Sequence, residues 1–210
     1  MRRESLSTRS VTIAIFSMIA VVAIVLSLVA GSYFRQSALN AQMNSLSRVI
    51  EVAAQEMLKE VRSHSLDLGM KLAHSKKIVQ AARTSAATGH DAELVALLDD
   101  PFITGFVGFS HLNLVKLRVF RLELEHISES SVGFQGIEAR LPRYLHDIIS
   151  QRDSNDRIKA VDALWLSEKG PLFSVVVPLG GLRSVGYLEV IINPVFNLPD
   201  IGKITQTPVS

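Results

Sequence analysis

From residue 11 to residue 30 no position carries a charge, and only Thr12, Ser17 and Ser27 are polar. A helix rises about 1.5 Å per residue, so such a run reaches roughly 30 Å, the thickness of the hydrocarbon layer of a bilayer. The pattern then changes period. Between residues 32 and 83 there is no proline, the only glycine is Gly69, and apolar or small residues recur at Leu39, Met43, Leu46, Ile50, Ala53, Met57, Val61, His64, Leu68, Leu72, Ser75 and Val79. Steps of three and four are helical, and the first half is close to a heptad stripe. Residues 31–90 are therefore predicted as one long helix flowing from the apolar run.

Residues 84–89 (TSAATG) read as a break, and 91–98 as a short helix stopped by Asp99-Asp100-Pro101. A segment with Phe102, Phe106, Phe109, Gly105 and Gly108 leads into strands. Residues 114–122 alternate, with Lys116, Arg118 and Arg121 between apolar positions, and 124–128 are the expected hairpin partner. Residues 136–151 carry Ile137, Leu141, Leu145, Ile148 and Ile149 at helical spacing. Strands at 160–166, 173–178 and 184–192 follow, separated by Glu168-Lys169-Gly170-Pro171 and Gly180-Gly181, so adjacent antiparallel pairing is expected. The predicted class is α+β: an N-terminal transmembrane helix continuing into a long amphipathic helix, then an antiparallel sheet of about five strands with flanking helices.

Charge distribution sets the orientation. Arg2, Arg3 and Arg9 precede the apolar run, and only Arg35 follows in the next seventeen residues. This asymmetry keeps residues 1–10 in the cytoplasm and sends the rest across the membrane. A cleaved signal peptide is the competing reading, but its apolar region would be about 7–15 residues, and no clear small-x-small cleavage pattern is present. Of the 22 Lys and Arg three precede the run, and of the 20 Asp and Glu one does, leaving 19 of each after it. No basic face for nucleic acid is expected. The absence of cysteine excludes disulfides, thiolate nucleophiles and zinc–thiolate sites, and fits an oxidising compartment.

Candidate chemistry is sparse. The six histidines lack i, i+4 spacing, so no metal site is expected. No G-x-S-x-G elbow or phosphate loop occurs, and no cofactor or enzymatic activity is predicted. A ligand pocket on the concave sheet face would draw on Arg118, Trp165, Tyr187 and Glu189 from strands, with Tyr144 and His146 from the helix. Tyr187 and Glu189 share a face, opposite Gly186, Leu188 and Val190. Charges are seldom buried unpaired, so that face is expected to be solvent-exposed, and so is Arg118, whose strand face also carries Lys116. Trp165 suits a core position and a ligand platform equally.

The strand pair LRVFRLELEHISES (117–130), the segment GPLFSVVVPLGGLRSVGYLEVIINP (170–194) and the helix SLDLGMKLAHSKKIVQAAR (65–83) resemble the Cache/PAS-like extracytoplasmic sensor domains of bacterial membrane receptors. Such sensors head diguanylate cyclases, cyclic-di-GMP phosphodiesterases, histidine kinases and chemoreceptors. The resemblance implies a periplasmic sensor domain at 91–195 on an inner-membrane anchor at 11–30 and a stalk at 31–90. The tail, 196–210, would lead toward a second module or span. No GGDEF, EAL, HAMP or kinase motif is present, so the chain is either the sensory part of a longer receptor or a stand-alone modulator of a partner. A homodimer through Leu39, Met43, Leu46, Ile50, Ala53, Met57 and Val61 is expected, with a small-molecule ligand and signal transduction through the helix. A membrane-anchored structural or assembly protein without a small ligand is the alternative, and a periplasmic enzyme the more distant one.

Overall fold

The computed structural model describes residues 4–104, 112–153 and 156–197. The chain divides into two units, Met1–Val52 and Ala53–Ser210. Helix α1, Glu4–Ala73, holds a stretch long and apolar enough to cross a membrane, with none of it buried within the protein. In the first unit the stripe residues Leu39, Met43, Leu46 and Ile50 are all exposed.

The second unit is α+β. After the end of α1 come α2 (Lys76–Thr88), α3 (Ala92–Ile103), β1 (Leu114–Phe120), β2 (His126–Glu129), α4 (Arg143–Ser150), β3 (Val161–Ser167), β4 (Gly170–Leu179) and β5 (Gly186–Ile192). The five strands form one antiparallel sheet in the order β2-β1-β5-β4-β3. The 160–192 stretch is the antiparallel meander expected from its turns. Glu168-Lys169 form a two-residue hairpin loop, with Ser167 opposite Gly170.

One sheet face is apolar. Leu117, Val119, Val175, Val177, Leu188 and Val190 pack against Val61 and Leu68 of α1, Ile78 and Ala82 of α2, and Leu94 and Leu98 of α3. Gly69 permits the close approach of α1. A Cβ there would stand 3.3 Å from side-chain atoms of Val177 and Val190, tighter than ordinary van der Waals contact. Val61, expected among the dimer contacts, is instead a core residue of this unit, and Met57 packs at the edge of the same cluster.

Several boundaries differ from the sequence expectation. The helix predicted through residue 90 breaks at His74-Ser75. There the Ala73 carbonyl accepts the N–H of Gly180, at the β4–β5 turn, at 3.1 Å, and Ser75 turns extended before α2. The helical spacing of apolar residues runs through the break because both helices bury the same side. Thr84–Thr88 belong to α2, which ends in a left-handed Gly89. Helix α3 runs on past Asp99-Asp100 with Pro101 in its last turn. Residues 105–111, including Phe106 and Phe109, and 198–210 lie outside those described.

The largest correction concerns 136–151. Only Arg143–Ser150 is helical. Residues 130–142 form an irregular strap across the second sheet face. Gly136 adopts φ 81°, and Pro142, which lacks an N–H, precedes the first helical turn. Ile137 and Leu141 suggested a helix because both point inward, but each packs on a different patch of the sheet.

Candidate functional site

The second sheet face is not apolar throughout. Val115, Leu172 and Ile191 make one apolar patch under Phe134 and Ile137 of the strap. Phe120, Val176 and Tyr187 make another under Leu141, Leu145 and Ile149. Lys116, Arg118, Ser174 and Glu189 are also buried there, and strand alternation puts Arg118, Ser174 and Glu189 on the same face as these patches.

Arg118 on β1 and Glu189 on β5 are direct cross-strand partners, and neither side chain is exposed at all. Arg118 Nε donates to Glu189 Oε2 at 2.8 Å. Nη2 stands 2.7 Å from the same oxygen but makes no hydrogen bond of proper geometry, and Glu189 Oε1 has no hydrogen-bond partner. The third guanidinium nitrogen, Nη1, donates to the main-chain carbonyl of Glu138 in the strap. The guanidinium also lies 5.6 Å from the centre of the Phe120 ring, within cation–π range.

The neighbours complete a charge network. Lys116 Nζ, almost wholly buried, is 3.2 Å from Glu129 Oε1 on β2. Ser174 Oγ accepts from Trp165 Nε1 at 2.8 Å and stands near enough to Glu189 to favour its charged form. Burial dominates nonetheless and pushes the Glu189 carboxyl above its usual range, against the pull of Arg118. Burial likewise holds His126 below its ordinary value, outweighing the opposing pull of Glu129.

Beside this band lies a cleft of about 930 Å³, between the β1–β2 turn, the end of the strap, α4 and β3, and Lys116, Arg118, Ser174, Tyr187 and Glu189 are not among its lining residues. His126, Glu138, Arg140, His146 and Trp165 are among its walls. Two of these residues bind the buried band directly: Glu138 through its carbonyl to Arg118, and Trp165 through its indole to Ser174.

The strap that closes this side is tied down at several points. Ser131 Oγ donates to Asp99 Oδ2 at 2.5 Å, and Val132 N–H donates to Asp99 Oδ1 at 3.1 Å. Phe134 N–H donates to the Val115 carbonyl at 3.0 Å, and Lys169 Nζ donates to the Gln135 carbonyl.

The surface positions expected for Arg118, Tyr187 and Glu189 are thus overturned. All three are buried, Arg118 and Glu189 because each neutralises the other, and Tyr187 because it packs with Phe120. Trp165 is half-buried and lines the cleft. His146 also lines it, whereas Tyr144 on the same helix is 65% exposed and is not among the lining residues. Ser174, Glu138 and His126 belong to the site and carried no sequence signal. Ser174 sits in an apolar run, and Glu138 acts through its main chain. Among the described residues no His, Asp or Glu cluster suited to a metal ion is present. No protein-family model matches this chain, and no curated protein matches it in sequence.

Proposed function

We propose that the chain is a membrane-anchored sensor. In this reading α1 spans a bacterial inner membrane near its N-terminus, residues after 31 face the periplasm, and the cleft beside the Arg118–Glu189 band takes a small molecule. The observation that carries the reading is a buried ion pair whose arginine is bonded by the main chain of Glu138, a strap residue that also walls the cleft. Burying two charges costs several kcal/mol per ion before their attraction repays it, and an apolar pair would fill the same space without that cost. An antiparallel five-strand sheet with α1, α2 and α3 on one face, and a strap, α4 and a cleft on the other side, also agrees with the Cache/PAS-like resemblance of the sequence. Occupancy of the cleft would bias the packing of the α1 helices in a homodimer through Leu39, Met43, Leu46 and Ile50, and the helix would carry that bias through the bilayer.

The test is a thermal-shift screen of the full chain in detergent against a chemically diverse set of small metabolites. A ligand that binds only the folded form must raise its apparent stability. The shift should disappear when the cleft wall is filled by Ala139→Trp. If no compound of any class produced such a shift, the sensor reading would fail.

A second reading, a docking or assembly protein without a small ligand, draws on the edge strand β3. Its Leu164 and Leu166 are exposed, the latter by 80%. Leu166 also lines the cleft, whereas Leu164 does not, so that reading predicts that Leu164→Lys abolishes function while Ala139→Trp does not.

A further inference from the structure

We propose that His126 is a proton-sensing latch: taking up a proton there loosens the edge strand β2 from β1 and moves the β1–β2 turn that walls the cleft. The proposal goes beyond the sensor reading, because the stimulus is the proton itself, and it holds whether or not a small molecule occupies the cleft.

A β-bulge sets the direction of the imidazole. Glu129 stands opposite Arg118 and Ser128 opposite Val119, but Phe120 stands opposite His126, so Ile127 is an extra residue. Without it, strand alternation would turn His126 to the side of Ser128, which faces α3 through its bond to Asp91. Bulges re-aim side chains in this way. With the bulge, His126 lies edge-on to Phe120, ring centres 5.7 Å apart, and forms part of the cleft wall. Its side chain is 29% exposed, so protons reach it from solvent.

The carboxylates around it are already engaged. Glu129 pairs with Lys116 through Oε1, and its Oε2 is 3.8 Å from His126 Nε2, too far for a hydrogen bond. Glu189 is held by Arg118, and Asp91 accepts from Ser128 Oγ. Around the cleft, Glu125 faces Arg121 at 3.8 Å, Glu138 faces Arg140 at 3.9 Å and Asp147 faces His146 at 3.5 Å. These groups are mostly exposed and screened by water, and Arg143 adds a further cation to the wall. Protonated His126 is therefore a third cation beside Lys116 and Arg118, against Glu129 and Glu189.

Burial opposes that charge as well. The proton binds more readily once β2 has moved into water, so it shifts the population toward that state. Strand β2 is the element able to yield, because it is a four-residue edge strand whose ladder is already interrupted at the bulge.

Hydrogen exchange of the full chain in detergent tests the latch, with rates corrected for their intrinsic pH dependence. The Ser130 N–H, which donates to the Leu117 carbonyl at 2.9 Å, reports on β2, and the Gly180 N–H, which donates to the Ala73 carbonyl, reports on the β4–β5 turn. Between about pH 7.5 and about pH 5, either side of the ordinary histidine value, opening at Ser130 should rise at least about fivefold. Gly180 should change by less than about twofold, as expected for local rather than global opening. The Glu189 carboxyl works in the opposite sense, so it does not mimic the rise. His126→Gln should abolish the rise and His146→Gln should leave it. Should His126→Gln fail to fold, His126→Lys decides, because its charge is fixed and the pH dependence at Ser130 must vanish. No rise at Ser130, an equal rise at Gly180, or a rise that persists in either His126 variant would each overturn the proposal.

Discussion

Arg118 and Glu189 face each other across the central strands of the sheet, 2.8 Å apart from Nε to Oε2, and no part of either side chain reaches solvent. This pair, with Lys116 and Ser174 beside it, distinguishes the second sheet face from the first, where the alternating residues Leu117, Val119, Leu188 and Val190 are apolar.

Removing one member leaves the other as an uncompensated buried charge. Arg118→Met or Glu189→Leu alone should therefore destabilise the sheet unit by about 3–5 kcal/mol, while the double variant should recover most of that loss. Urea unfolding of the full chain in detergent, followed by Trp165 emission, measures the cycle. Additive single effects would show that the two charges do not depend on each other.

The shifted carboxyl gives stability a definite pH dependence. Burial raises Glu189 above its ordinary value of 4.5, so between that value and the folded one the native state holds more protons than the unfolded state. Stability from this group is fully present below the unfolded value and falls as pH rises through the folded one. Glu189→Gln should flatten that limb of the stability profile.

His126 acts in the opposite sense. Its folded value lies below 6.5, so the unfolded chain takes up the proton first and stability is lost as pH falls from 6.5 through the folded value. His126→Gln should remove this acid-side loss while leaving the Glu189 limb intact. A melting series across pH in both variants separates the two.

The strap depends on one glycine far more than on its neighbour. Gly133 has φ 100°, and a Cβ there would stand 1.9 Å from the Val115 carbonyl oxygen, whereas Gly136, at φ 81°, has open space around it. Gly136→Ala should cost only the left-handed backbone penalty, about 1–2 kcal/mol. Gly133→Ala should cost clearly more and should also expose Arg118, because the strap must lift from β1. Hydrogen exchange at the Phe134 amide, which bonds to Val115, reads the lifting directly.

Natural absence of cysteine makes α1 simple to map. Single cysteines at Leu39, Met43, Leu46 and Ile50 should crosslink efficiently in membranes, and those at Ala41 and Arg48 poorly. Val61→Cys should not crosslink, because that side chain is in the sheet unit's core. Uniform crosslinking along the helix would remove the dimer from the proposal.

The elements with strict periodicity were legible in the sequence. The apolar run, the long three-four spacing, the alternation of β1 and the turn residues between β3, β4 and β5 are local properties, and each constrains the backbone where it stands. The α+β class and the antiparallel meander follow from them. The residues of the site were partly legible too, because a strand that places Tyr187 and Glu189 on one side must put them on the same sheet face.

What the sequence by itself did not decide was whether that face is wet or dry. Lys116 and Arg118 between apolar residues is the same pattern for a strand half in water and for one covered on both sides. The cover is the strap, residues 130–142, which has no period to read. Its geometry comes from left-handed glycines, Pro142 and tethers to Asp99, Val115 and Arg118, far away along the chain. Only the tertiary structure brings Glu189 opposite Arg118, and only that meeting makes both charges tolerable in the interior.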